Sequence, residues 1–162
     1  MSHYNITRRL DVDIAVCRSS TFNTTAVSAN NLIPLTDVDN LVGDIASTIT
    51  ISSNEITLPS GYWWFVKGSP QAYINSSTGW IRYAWKDTTS NAQYGRSGFL
   101  TIQEGANLFG GEELACCLLD CTAASKTIKL NIEGSSSILR LNDTSASGYS
   151  GQTRVLLWRI KK

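Results

Sequence analysis

The chain of 162 residues is 42% hydrophobic and only 17% charged, with 14 Lys and Arg against 13 Asp and Glu and a formal net charge of +1. Compact domains run to about 100–200 residues, so one domain with its own core is expected; near-neutral charge argues against a general nucleic-acid binder, which needs clustered Lys and Arg to displace counterions from phosphate. The polarity comes instead from 20 Ser, 16 Thr and 11 Asn, and a chain this hydrophobic is no disordered tail.

Residues 1–9, MSHYNITRR, form a polar arm without the apolar stretch of a signal peptide. The longest apolar runs, 62–66 and 155–158, fall far below the roughly 20 residues of a membrane helix. Neither secretion nor membrane insertion is expected, and Cys17, Cys116, Cys117 and Cys121 should therefore be reduced thiols, most of them core residues.

After the arm, Leu10, Val12, Ile14 and Val16 alternate with Asp11, Asp13 and Ala15, which is the period of a half-buried strand. A polar stretch leads to LIPL at 32–35, a second apolar segment, and then to TDVDNLVGDI at 36–45, the one helix candidate, with a loop as its alternative. Ile49 and Ile51, a turn over 52–54, and Ile56 and Leu58 read as a hairpin. GYWWFVKG at 61–68 puts Tyr62, Trp64 and Val66 on one face and Trp63, Phe65 and Lys67 on the other. Large apolar side chains on both faces imply burial on both, by a second sheet on one side and by something else on the other. WIRYAWK, GFLTIQ, ELACCLLDC, KTIKLNIE, SSILRLN and TRVLLWRIKK follow as further strands. In the last, Leu156, Trp158 and Ile160 oppose Val155 and Leu157, so the C-terminal strand should lie centrally in a sheet. The pattern predicts an all-β antiparallel sandwich or jelly roll.

Catalytic chemistry has little to stand on. The single histidine, His3, sits in the arm, and no nucleophile motif, phosphate loop or zinc motif occurs; no enzyme and no cofactor are expected. Asp11 and Asp13 share a strand face and resemble a cation or acid–base pair, but such pairs are more often the solvated side of an edge strand. Cys116 and Cys117 point to opposite faces of a strand, and Cys117 and Cys121 would lie about 13 Å apart at roughly 3.3 Å per residue, so no shared metal ion is expected.

Residues 52–85, SSNEITLPSGYWWFVKGSPQAYINSSTGWIRYAW, resemble the head domains of bacteriophage virion proteins with a C1q/TNF-like jelly roll. The likeness is carried by Leu58, Pro59, Gly61 and Tyr62, by Pro70, Ala72 and Tyr73, by KTIKLNIEGSSSILRL and by the closing LWRIK. Paired Trp63 and Trp64 depart from that family's aromatic–polar alternation, and with about nine residues before the first strand the family's long stalk is not expected. The resemblance implies a TNF-like jelly roll over residues 10–162, preceded by a docking arm at 1–9, in a homotrimer exposed on the virion surface and assembled in the host cytoplasm. Taken with the short chain and the arm, it points to a capsid decoration, or cement, protein whose partners are its own copies and the major capsid protein; the alternative is a tail-fibre or spike tip that binds host glycan or protein. Candidate capsid-docking residues are His3, Tyr4, Arg8 and Arg9, since arginine forks bind carboxylates. Candidate trimer-interface residues are Tyr62, Trp64, Tyr83, Trp85 and Trp158, although rings on strands more often fill the subunit's own core. For the glycan alternative, WIRYAW at 80–85 and NAQYGR at 91–96 offer rings that stack on sugar, although such rings more often fill a core, and Tyr94 and Tyr149 are the better candidates because they fall in Gly- and Ser-rich segments expected to be turns.

Overall fold

The computed structural model describes residues 12–19, 29–74, 79–102, 113–136, 139–141 and 153–161. The arm with His3, Tyr4, Arg8 and Arg9, together with Asp11 and Tyr149, lies outside the described residues. The strands are β1 (Val12–Arg18), β2 (Asp37–Val42), β3 (Thr50–Ser52), β4 (Glu55–Leu58), β5 (Trp63–Ser69), β6 (Ala72–Ile74), β7 (Gly79–Asp87), β8 (Gln93–Ile102), β9 (Ala115–Asp120), β10 (Lys126–Ser135), β11 (Leu139–Leu141) and β12 (Arg154–Ile160). One turn of 3-10 helix, Ala46–Thr48, is the only helical element among the described residues.

Ten strands pair in the order β2-β1-β12-β5-β9-β8-β7-β10-β4-β3, and β6 and β11 form a separate ribbon. The β9–β8 junction is a single residue pair, Arg96 opposite Cys116. There the sheet folds over, giving one leaf of β2-β1-β12-β5-β9 and another of β8-β7-β10-β4-β3. Their inner faces meet around Gly68 of β5, where an added Cβ would lie 2.8 Å from the Trp85 ring of β7 and 3.3 Å from Leu130 of β10. Strand alternation fills the space between them: Ala15, Cys17, Trp64, Val66, Cys117, Leu119, Val155 and Leu157 from one leaf face Ile56, Leu58, Ile81, Tyr83, Trp85, Leu100, Ile128, Leu130 and Ile132 from the other.

The buried aromatic polar atoms all find acceptors. Trp64 Nε1 donates to the Pro59 carbonyl at 3.2 Å, Trp85 Nε1 to the Ala115 carbonyl at 3.2 Å, and Tyr83 Oη to the Glu113 carbonyl at 3.3 Å. Tyr83 has room only because residue 98 is glycine. A Cβ at Gly98 would press on the Tyr83 ring and sit 2.6 Å from the Ala115 nitrogen. Gly98→Val is therefore expected to lower the denaturation midpoint by the equivalent of about 1–3 kcal/mol, the usual cost of overpacking, and an unchanged midpoint would contradict this packing.

The C-terminal strand is central as expected: β12 pairs with β1 on one side and β5 on the other through seven residue pairs each. Two other expectations are corrected, and one apolar segment is placed. Residues 36–45 form no helix; Asp37–Val42 is strand β2, paired to β1, because alternate Asp and Asn leave no continuous apolar helical face to bury. LIPL contributes a single bridge, Leu32 to Asn131, although Ile33 and Leu35 are buried and Ile33 N–H donates to the Leu130 carbonyl at 2.9 Å. Nor is β1 an edge strand with a solvated acidic face, since Asp13 is half-buried and ion-paired with Arg159 of the neighbouring β12.

Candidate functional site

The period-two alternation that fills the core also sets what the first leaf shows to solvent. In β1 the small residues Ala15 and Cys17 face inward, and the larger Ile14 and Val16 face outward, Ile14 half-buried and Val16 only 4% exposed. Antiparallel register aligns the outward residues across four strands. Ile14, Trp158, Phe65 and Leu118 form one row, and Val16, Leu156, Lys67 and Cys116 the next. Val12, Ile160, Trp63 and Asp120 make a third. The Phe65 and Trp158 rings pack at 5.3 Å between centroids. Leu118 is 57% exposed, and on the flanking β2 Leu41 and Val42 are 52% and 50% exposed. Single exposed leucines are ordinary, whereas a contiguous apolar face spanning a leaf marks an interface.

Charge flanks this face at one end. At one end Val16, Leu41 and Leu156 line a groove of about 400 Å³ together with Arg18, Lys67 and Arg154. Arg18 is partly neutralised by Asp39 of β2 at 3.4 Å. At the other end of β12, on the inward side in register with Trp64, Arg159 Nε donates to the Asp13 carboxylate at 2.9 Å, and its guanidinium lies 4.7 Å from the centre of the Tyr62 ring. That pair is mostly buried and belongs to the subunit's own stability, because removing one partner leaves a charge stranded.

The candidate residues separate accordingly. Trp158 lies on the outward apolar face, and Tyr62 is half-buried beneath the Arg159 guanidinium. Trp64, Tyr83 and Trp85 are corrected: each is fully buried between the leaves of its own subunit and has no surface to offer a partner chain. Tyr94 is also corrected, for it sits in strand β8 opposite Trp85, half-buried, with its hydroxyl donating to Asp87 at 2.8 Å and Lys126 Nζ 5.5 Å from its ring. Ile14, Val16, Phe65, Leu118 and Leu156 were not singled out by sequence. The signal was present in the two-faced apolar strands, but alternation alone does not say which face turns inward.

Titratable groups support structural roles. Burial pushes the Cys17 thiol up to about 12, with Asp39 adding to it, and burial pushes Cys117 to about 12, with Cys116 and Cys121 adding. Burial also raises Cys121. Thiolate is the reactive form, so a disulfide-exchange reagent at neutral pH should label the native protein at Cys116 at most, and all four thiols after denaturation. Rapid native labelling of Cys17 or Cys117 would contradict the buried assignment. Among the described residues no three His, Cys, Asp or Glu side chains come together as a metal position.

The Asp87 carboxylate organises the β7–β8 turn. It accepts from Ser90 N at 2.7 Å, Ser90 Oγ at 2.9 Å and Thr89 N at 3.0 Å, besides Tyr94. These bonds, the Ser90 N–H first, hold its pKa down at about 2. A depressed carboxylate stabilises the fold above its unfolded value, about 3.9, and the gain is lost as pH falls through the folded value. Between about pH 4 and 2 the melting temperature of the native chain should thus fall more steeply than that of Asp87→Asn; parallel curves would contradict the role assigned to this turn.

No family model matches the chain, and no curated protein matches it. Solved structures do. The structure of Eiger TNF from S. frugiperda superimposes with a TM-score of 0.50 and 9% identity, covering 93% of this chain and 94% of that one. The crystal structure of murine APRIL at pH 5.0 superimposes with a TM-score of 0.47 and 6% identity, covering 92% of this chain and 99% of that one. With the strand order above, the first of these likenesses makes the chain an all-β, antiparallel, TNF-like jelly roll, and at 9% identity it speaks for the fold alone.

Proposed function

We propose that the chain is a non-enzymatic virion protein, a homotrimeric knob that decorates and cements a phage capsid. The observation that carries self-association is the outward face of the first leaf, where Ile14, Trp158, Phe65 and Leu118 align in one apolar row across four strands. Rotation about an axis beside such a face lets every copy bury it by the same contacts. The count of three and the virion setting rest on the resemblance of residues 52–85, 126–141 and 157–161 to phage head domains. A protein that binds only the assembled shell stabilises that shell by mass action, and three linked copies turn modest contacts into tight attachment.

The arm 1–9, with His3, Tyr4, Arg8 and Arg9, is the element proposed to dock on the major capsid protein. Mixing purified protein with undecorated, expanded capsids tests the reading. Binding at capsid-lattice stoichiometry is expected, and deletion of residues 1–9 should abolish it while leaving the oligomer intact. Occupancy unchanged by the deletion would remove the docking arm, and binding confined to tail structures would overturn the cement function.

A further inference from the structure

The second leaf carries an exposed aromatic pair that neither the core nor the self-association face uses. Trp80 of β7 is 42% exposed and Phe99 of β8 is 39% exposed, while Ile81, Tyr83, Trp85 and Leu100 of the same strands already fill the inward positions. Phe99 lies opposite Arg82, one pleat along from Trp80. The two rings leave the same face and lie nearly parallel, 17° apart, with centroids 6.0 Å apart. Beside them runs a groove of about 380 Å³ lined by Trp80, Phe99, Arg82, Glu133 and Gly134, within the range of about 300–1,000 Å³ typical of small-ligand sites. Gly134 keeps it open, since a Cβ there would lie 3.2 Å from the Trp80 ring.

The polar side of the groove is ordered in advance. An irregularity in β10 between Ile132 and Gly134 sets Glu133 at the groove. Its carboxylate, 13% exposed, accepts from Ser97 Oγ at 3.0 Å and Arg82 Nε at 3.2 Å, with Lys86 Nζ at 3.7 Å. Arg82 is 58% exposed, meets that carboxylate through Nε and lines the groove, and a guanidinium carries four further N–H donors that a ligand there can use. Flat aromatic surface on one side, with fixed donors and an acceptor on the other, matches a molecule that has an apolar C–H face and a hydroxyl-bearing edge. That is the chemistry of a pyranose. A nucleic-acid strand would need a basic track, and here Lys86 and Arg82 are both turned to one carboxylate.

We infer that this groove binds a pyranose ring of a glycan, stacked on Trp80 and Phe99, with its hydroxyls bonded by Arg82 and Glu133. The site lies on the leaf opposite the self-association face, so it stands or falls separately from the proposed trimer.

The test is saturation-transfer difference NMR on the full chain with methyl β-galactopyranoside and methyl β-glucopyranoside, and with a proline-rich peptide as the competing aromatic-groove ligand. A single ring on an open groove should bind with a Kd on the order of 1 mM, with transfer strongest to one face of ring C–H protons. Trp80→Ala, Phe99→Ala and Arg82→Gln should each weaken binding about tenfold, with oligomer mass unchanged. Arg82→Gln lies at an exposed position and keeps the test available should a ring deletion misfold. No transfer to either glycoside, transfer undiminished in the variants, or binding of the peptide alone would overturn the assignment.

Discussion

Leu118→Arg is expected to convert the proposed trimer into single, folded chains. Leu118 is 57% exposed in the subunit and its inward neighbours Cys117 and Leu119 keep their places, so the isolated fold should lose no more than about 0.5 kcal/mol. The same position ends the outward row of Phe65, Trp158 and Ile14, the row that the proposed trimer would bury. An unpaired guanidinium desolvated there costs about 2–5 kcal/mol at each interface, and a closed ring incurs the cost once per copy. Light scattering should report one chain mass in place of three, with circular dichroism unchanged. A variant that stays assembled would show that another surface holds the copies together.

Trp85→Ala should have the largest effect on the fold itself. The side chain is fully buried, packs on Gly68 across the sandwich, and donates its indole N–H to the Ala115 carbonyl at 3.2 Å. Trp→Ala in a core costs about 3–5 kcal/mol, a large part of the roughly 5–15 kcal/mol that holds a domain together. Urea unfolding in a Leu118→Arg background separates this loss from dissociation. The midpoint should fall sharply for Trp85→Ala and little for Trp158→Ala, whose ring is half-buried on the outer face. Equal shifts would contradict the division between core and interface rings.

That division was not legible from sequence. Period-two alternation located the strands 63–69 and 154–160 well, and the apolar residues on both faces of 154–160 correctly placed it inside a sheet. The same two-faced pattern hid the direction of each face. In β1 the eye takes Val12, Ile14 and Val16 for the core side, yet Ala15 and Cys17 turn inward, because tightly apposed leaves leave little room there and the outer face is itself apolar. Asp37–Val42 was missed as a strand because its pairing with β1 is a long-range contact that local propensity does not encode. Trp80 lies in WIRYAW, which the sequence offers both as a core strand and as a sugar-stacking face, and Phe99 in a segment that reads as an alternating strand; only the register of β7 against β8, and the bend of β10 that brings Glu133 beside them, gathers the groove.

The central claim is that the outward face of β1, β12, β5 and β9 is buried against other copies of the chain. Size-exclusion chromatography with multi-angle light scattering on the full chain at micromolar concentration tests it most directly. The expected result is a single species of three times the 17.7 kDa chain mass, stable on dilution. A monodisperse species of one chain mass would contradict it.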